Sequence, residues 1–134
     1  MKILFVCKYN RFRSQVAETI FNKLNKNPKI KAESLGLELD PLRPYIAKEV
    51  ISILKEKGYD MKGKPEQATK ELAKKYDLIV IVADNLDEKF FSDINTKTIK
   101  WKIQDCPIQE IELTKKIINQ IEIKVKGLIS EKTI

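Results

Sequence analysis

The 134-residue sequence contains no histidine and only two cysteines, Cys7 and Cys106. Without histidine, a Ser–His–Asp triad, a Cys–His dyad and histidine-based metal sites are all excluded. Two cysteines at these positions form neither a disulfide framework nor a zinc-binding spacing, so we expect a reducing, cytoplasmic environment. The sequence indicates no metal and no cofactor.

Long apolar runs are missing as well. No apolar stretch approaches the roughly 20 residues that a membrane-spanning helix needs. The N-terminus lacks a signal-peptide pattern, because Lys2 leads directly into a short apolar segment. A hydrophobic fraction of 43% beside a charged fraction of 34% is typical of a globular protein. We therefore expect one compact domain over residues 1–134, with no membrane partner.

Acidic residues are in deficit, and the formal net charge is +7. The charge comes mostly from lysines scattered along the chain, and no basic patch is interleaved with aromatic residues. This pattern favours a solvated lysine-rich surface over a nucleic-acid interface. It also predicts a modest attraction for anionic substrates.

Apolar patterns alternate between strand-like and helix-like segments along the chain. Strands are predicted at 2–7, 30–35, 77–83 and 98–103. Helices are predicted at 14–26, from Pro44 in a first turn to Gly58, at 67–75 and at 108–129, with a helical turn at 86–91. This alternation indicates an α/β fold with a parallel sheet and helices on both faces. Ligands in such folds bind beyond the carboxyl ends of the strands, where Cys7 and the 101–107 loop both lie.

The most informative stretch is Cys7-Lys8-Tyr9-Asn10-Arg11-Phe12-Arg13-Ser14, which follows the apolar run Ile3–Val6. A thiol at a strand end, a short loop and a helix start predict a phosphate cradle built from the backbone N–H groups of residues 8–13. The helix dipole and Arg13 favour the thiolate form of Cys7. The planar guanidinium of Arg13 also suits phosphate oxygens.

The order Cys-x5-Arg-Ser after a first strand resembles the signature loop of the low-molecular-weight protein tyrosine phosphatase family. The longer string Cys7-x-x-Asn10-x-x-Arg13-Ser14-Gln15-x-Ala17-Glu18 is similar to the branch that includes arsenate reductases. Ser34-Leu35-Gly36, Asp77-Leu78-Ile79-Val80-Ile81-Val82 and Trp101-x-x-x-Asp105-x-Pro107 resemble later family segments, in the expected order. The resemblance implies a flavodoxin-like three-layer sandwich with a four-stranded parallel sheet.

The resemblance also implies roles for individual residues. Cys7 would attack phosphorus, Arg13 would stabilise the transition state, and Asp105 would act as general acid. Ser14 would donate a hydrogen bond to the Cys7 sulfur, and Asn10 would hold the loop in its unusual shape. Asp84 is a competing acid, but the family's acid lies in the position of Asp105. The phosphate-binding set is Lys8, Tyr9, Asn10, Arg11, Phe12, Arg13 and Ser14.

Three functions fit these residues. We favour a phosphomonoester hydrolase of the protein tyrosine phosphatase type, acting on a phosphorylated protein or a small phosphomonoester through a cysteinyl-phosphate intermediate. Arsenate reduction is the rival, but residues 83–90 lack the relay cysteines of thioredoxin-coupled reductases, and Cys106, which could resolve an oxidised Cys7, lacks a relay partner. A reductase of this kind would therefore use an external thiol of the glutathione type. A non-catalytic phosphate-binding module is the third, and retention of thiol, arginine and acid argues against it.

Overall fold

The computed structural model describes residues 1–132 as a four-stranded parallel sheet covered by helices. The strands are β1 (Lys2–Cys7), β2 (Lys31–Gly36), β3 (Leu78–Val82) and β4 (Lys97–Trp101). Their spatial order is β2-β1-β3-β4, and every neighbouring pair is parallel. From β1 the chain passes to β2 on one side of the sheet and then crosses to β3 on the other side of β1, which is the arrangement of flavodoxin-like folds. The predicted fold class is therefore confirmed.

Helices cover both faces of the sheet. They are α1 (Arg13–Leu24), α2 (Lys48–Glu56), α3 (Lys70–Ala73) and α4 (Ile111–Lys132), with a 3₁₀ turn at Glu88–Phe91. Successive side chains of a strand point to opposite faces. In β1, Phe5 accordingly joins the core formed with α1, α2 and α4, whereas Leu4 joins the core formed with α3 and the 3₁₀ turn. This alternation builds the three layers.

The prediction that Pro44 occupies the first turn of a helix was wrong. Helix α2 begins at Lys48, with Ala47 in extended geometry at its N-cap. Residues 44–47 instead form a connection bonded to the loop after β1: the backbone N–H of Ala47 donates to the carbonyl of Arg11 at 3.5 Å. A tertiary contact thus outweighs the local preference of proline. Every other helix and strand end differs from the prediction by three residues or fewer.

The C-terminal helix α4 buries the apolar face that its spacing predicts. The residues that it buries in the core between the helices and the sheet are Ile117, Ile118, Ile121, Val125 and Leu128. Ile111, predicted on the same face, is 37% exposed because it stands at the first position of the helix. No helix within residues 1–132 combines the length and the apolar character needed to cross a lipid bilayer.

Candidate active site

The loop after β1 presents a series of backbone donors. The N–H groups of residues 8–13 have no hydrogen-bond acceptor among the protein groups of residues 1–132. Helix α1 follows directly, and its N-cap residue Phe12 supplies no side-chain cap. Free N–H groups together with the positive end of a helix form a favourable environment for an anion. The loop therefore has the donors that a phosphate cradle requires.

Asn10 determines the shape of this loop. Its φ is +57°, a left-handed conformation that asparagine tolerates better than most other residues. Its Oδ1 accepts from the backbone N–H of Glu66 at 3.0 Å and from Nε2 of Gln15 at 2.9 Å. Its Nδ2 donates to Oγ of Ser14 at 2.7 Å and to Oγ of Ser34 at 3.0 Å. The side chain of Asn10 is fully buried beneath the loop, where it connects four residues from three other parts of the chain.

Ser14 contacts the predicted nucleophile directly. Its Oγ lies 2.9 Å from Sγ of Cys7, and its backbone N–H donates to the same sulfur at 3.5 Å. Because the Asn10 amide donates to Oγ of Ser14, the hydroxyl hydrogen remains available for the sulfur. The side chain of Ser14 thus lies beside the Cys7 sulfur, as the sequence led us to expect.

Arg13 is held between the loops that follow β3 and β4. Its side chain is only 3% exposed, and Nη1 donates to the carbonyl of Ile103 at 2.8 Å. Nη2 donates to Oδ1 of Asn85 at 3.2 Å. Asp84 lies 3.7 Å from Nη1, and Asp105 lies 3.8 Å from Nη2. Sequence reasoning missed Asn85, although its place just beyond a strand end was an available signal.

The three residues predicted to be catalytic line one open cavity of about 960 Å³: Cys7, Arg13 and Asp105. Asp84 is as exposed as Asp105, at 45% against 47%, but it does not line this cavity. The structure therefore brings Asp105, rather than Asp84, to the side that contains the thiol. Cys106 lines the cavity as well, and its Sγ lies 3.4 Å from Oγ1 of Thr114.

The predicted phosphate-binding residues differ in where their side chains lie. Tyr9, Arg11 and Phe12 line the cavity, and Phe12 also packs into the core. The ammonium group of Lys8 pairs with Glu38 at 3.7 Å, outside the cavity lining. Lys8 thus contributes to the loop through its backbone. Sequence reasoning also missed Tyr45, which lines the cavity beside Arg11.

Glu18 extends the buried hydrogen-bond network away from the loop. Oγ of Ser34 donates to Oε1 of Glu18 at 2.5 Å and accepts from the Asn10 amide. Burial raises the pKa of Glu18 above its ordinary value, and the hydrogen bond from Ser34 offsets only part of this effect. The network therefore ends in a carboxyl group that is costly to ionise.

Known proteins of similar sequence and similar fold point to one family. A glutaredoxin arsenate reductase of Synechocystis sp. is 27% identical over 139 residues, which cover 97% of each chain. The crystal structure of an arsenate reductase from Archaeoglobus fulgidus is 28% identical, with a TM-score of 0.78 over 96% of this chain and 98% of that one. A low-molecular-weight protein tyrosine phosphatase from T. tengcongensis is 25% identical, with a TM-score of 0.82 over 98% and 99%. The family model for low-molecular-weight phosphotyrosine protein phosphatases matches residues 2–133, and the chain belongs to that family.

Proposed function

We propose that this protein hydrolyses phosphomonoesters, as a cysteine-dependent phosphatase of the protein tyrosine phosphatase type. One observation carries the proposal: the thiol of Cys7, with Ser14 bonded to it, lines the same cavity as Arg13 and Asp105. The loop beside the thiol also has N–H groups without protein acceptors within residues 1–132. A nucleophile, a cation, an acid and an anion-binding loop are the groups that this reaction needs.

In the first step, the Cys7 thiolate forms a bond to phosphorus while the bond from phosphorus to the ester oxygen breaks. Asp105 gives its proton to the departing oxygen, so the product leaves as a neutral alcohol or phenol. Such proton transfer contributes about 10²–10⁴-fold to rates. Arg13 and the N–H groups of residues 8–13 stabilise the charge on the equatorial oxygens, and one such donor is worth roughly 2.7–4 kcal/mol.

In the second step, water attacks the phosphorus of phosphocysteine and the bond from phosphorus to sulfur breaks. The carboxylate of Asp105 accepts a proton from that water, which restores the acid for the next cycle. The electron pair of the broken bond returns to Cys7 as thiolate. The Ser14 hydroxyl, 2.9 Å from the sulfur, stabilises this leaving group.

The test is turnover of p-nitrophenyl phosphate by the wild type and three variants. Cys7→Ser should abolish turnover, and Asp105→Asn should lower kcat by about 10²–10⁴-fold because the leaving oxygen loses its proton donor. Asp84→Asn is the matched control, since Asp84 contacts the same arginine without lining the cavity. It should lower kcat far less. Turnover that survives Cys7→Ser contradicts the proposal.

Arsenate reduction is the second candidate, supported by the relatives at 27% and 28% identity. Here Cys7 thiolate would displace a hydroxyl of arsenate and form a sulfur–arsenic bond. An external thiol would then attack the Cys7 sulfur, forming a disulfide, and the electron pair of the sulfur–arsenic bond would leave with arsenite. Arsenic is reduced by two electrons, and two thiols are oxidised. Arsenite formation with added glutathione, in the absence of p-nitrophenyl phosphate turnover, favours this candidate.

A further inference from the structure

We propose that Arg11, held against Tyr45, forms a second anion-binding subsite at the mouth of the cavity. It selects phosphopeptides that carry a carboxylate side chain next to the phosphorylated residue. This inference rests on the proposed function, because it takes the loop after β1 to hold the phosphate. It adds a substrate preference that the reaction itself does not require.

Arg11 is positioned before any ligand arrives. Its Nε donates to the backbone carbonyl of Tyr45 at 2.8 Å, and its guanidinium carbon lies 5.3 Å from the centre of the Tyr45 ring. Its own carbonyl accepts from the N–H of Ala47 at 3.5 Å. A side chain anchored in this way loses little rotational freedom when it binds an anion. The guanidinium is therefore preorganised.

The guanidinium of Arg11 also keeps its charge available. Within residues 1–132, no carboxylate oxygen lies within 4.0 Å of it, whereas Arg13 has two acidic neighbours. Arg43, the third arginine, is paired with Asp40 at 2.8 Å. Since Nε of Arg11 alone is engaged by Tyr45, both Nη groups can donate to a carboxylate in the bidentate geometry that guanidinium favours.

The surrounding charge favours an acidic partner. The cavity lining contains the cations Arg11, Arg13, Arg43 and Lys48 and, among the described residues, the acids Glu49 and Asp105. Asp40 pairs with Arg43 and also interacts with the charge of Arg11, and the positive charges still outnumber the negative ones. Helix α2 also begins at this side of the cavity without a side-chain cap, which adds a weak positive field. An anion bound at Arg11 therefore meets net positive potential.

The neighbouring surface fits a peptide better than a small molecule. Leu42 is 87% exposed and Tyr45 is 54% exposed, and both stand in the connection that forms this side of the cavity. A peptide chain running out of the cavity can cover such apolar side chains, whereas a small phosphate ester that fills the cavity leaves them in water. Because Arg11 belongs to the phosphate loop itself, a residue adjacent to the phosphorylated one is within its reach.

Binding in a Cys7→Ser background tests the subsite without turnover. The probes are two phosphotyrosine peptides that differ only in glutamate or glutamine next to the phosphotyrosine, and fluorescence anisotropy gives each Kd. We expect the glutamate peptide to bind roughly three- to fivefold more tightly at low salt, as for an exposed ion pair, and the difference to shrink at high salt. Adding Arg11→Gln should bring the ratio of the two Kd values to about one. The Kd of the glutamine peptide reports whether each variant still folds and binds phosphate.

Two control variants make the result specific. Arg43→Gln removes an arginine that Asp40 already pairs, so the ratio should persist. Arg11→Lys keeps the charge but loses the bidentate geometry, so the ratio should fall part of the way. An unchanged ratio in Arg11→Gln, an equal fall in Arg43→Gln, or tighter binding of a small bisphosphate than of either peptide overturns the proposal. Absence of p-nitrophenyl phosphate turnover in the wild type with a persistent ratio contradicts the proposed phosphatase activity and leaves the subsite supported.

Discussion

Asn10 uses every hydrogen-bonding group of its side chain. Two donors go to Ser14 and Ser34, and two bonds are accepted from Gln15 and the backbone of Glu66. A buried amide is stable only when its groups are satisfied in this way. Because the Ser14 oxygen accepts from the Asn10 amide, the hydroxyl hydrogen of Ser14 is free to be donated to the Cys7 sulfur.

At the same scale, Glu18 makes stability depend on pH. Its pKa is raised in the folded protein, mainly by burial, so its favourable contribution is complete at a pH below its unfolded pKa. That contribution is lost as the pH rises through the folded pKa. Glu18→Gln removes the cost of ionising this carboxyl. The free energy of unfolding of the variant, minus that of the wild type, should therefore increase as the pH rises from the unfolded pKa of Glu18 through the folded one. Urea denaturation at a series of pH values measures the trend.

Glu122 provides the control of opposite sign. Burial acts to raise its pKa, but hydrogen bonds from Tyr59 at 2.6 Å and from Lys57 outweigh that effect, so the net pKa is lowered. Its contribution to stability is present above the unfolded pKa and is lost as the pH falls through the folded pKa. Glu122→Gln should therefore lose stability relative to the wild type as pH rises. Parallel trends in the two variants are incompatible with this account.

At the scale of elements, strand β2 supports the loop after β1 by direct backbone contact. Gly36 is the last residue of β2, and its N–H and carbonyl bond to Glu66 and Ala68. A Cβ placed on Gly36 would lie 2.8 Å from the carbonyl carbon of Tyr9 and 2.9 Å from the backbone nitrogen of Asn10. Backbone atoms cannot rotate aside as a flexible side chain can. Only glycine therefore lets β2 and the loop lie this close.

Gly36→Ala should displace the loop and lower kcat/KM for p-nitrophenyl phosphate by roughly 10–100-fold, since small displacements of reacting groups are costly. Overpacking of this kind should also cost about 1–3 kcal/mol of stability. Gly127→Ala is the matched control, because a Cβ there meets nothing within 4 Å. Because alanine is favoured over glycine inside a helix, Gly127→Ala should stabilise the protein by roughly 0.5–1 kcal/mol, and it should leave kcat/KM unchanged. Equal activities for the two variants rule out the contact argument.

At the scale of the whole molecule, the larger core lies between the sheet and the helices α1, α2 and α4. Ile121 is completely buried there, whereas Ile123 on the same helix is 69% exposed. Ile121→Ala should lower the free energy of unfolding by about 2–5 kcal/mol, through lost burial and the cavity that remains. Ile123→Ala should change it by less than about 0.5 kcal/mol. Denaturant titration of both variants checks the difference, and comparable losses would contradict the described packing.

Much of the fold follows from local sequence patterns. The apolar run of β3 and the helical spacing of α4 predict their elements because burial on a strand or a helix imposes its own period. The loop from Cys7 to Ser14 was also identifiable, since a thiol, an arginine and a helix start lie next to each other in the chain. Pro44 was misassigned because the residues that follow it, Tyr45 and Ala47, are bonded to Arg11, more than thirty positions earlier in the chain.

The sequence by itself identified the candidate nucleophile, the loop and the layered fold, because each depends on residues that are neighbours in the chain. The sequence chose Asp105 over Asp84 only through the family resemblance, and the tertiary structure adds the physical difference: both contact Arg13, but Asp105 alone of the two lines the cavity that contains the thiol. It also decided where the charge of Arg11 is held, through a bond to Tyr45 across 34 positions. Contacts of this kind depend on how separate elements pack together, and local propensities do not encode that packing.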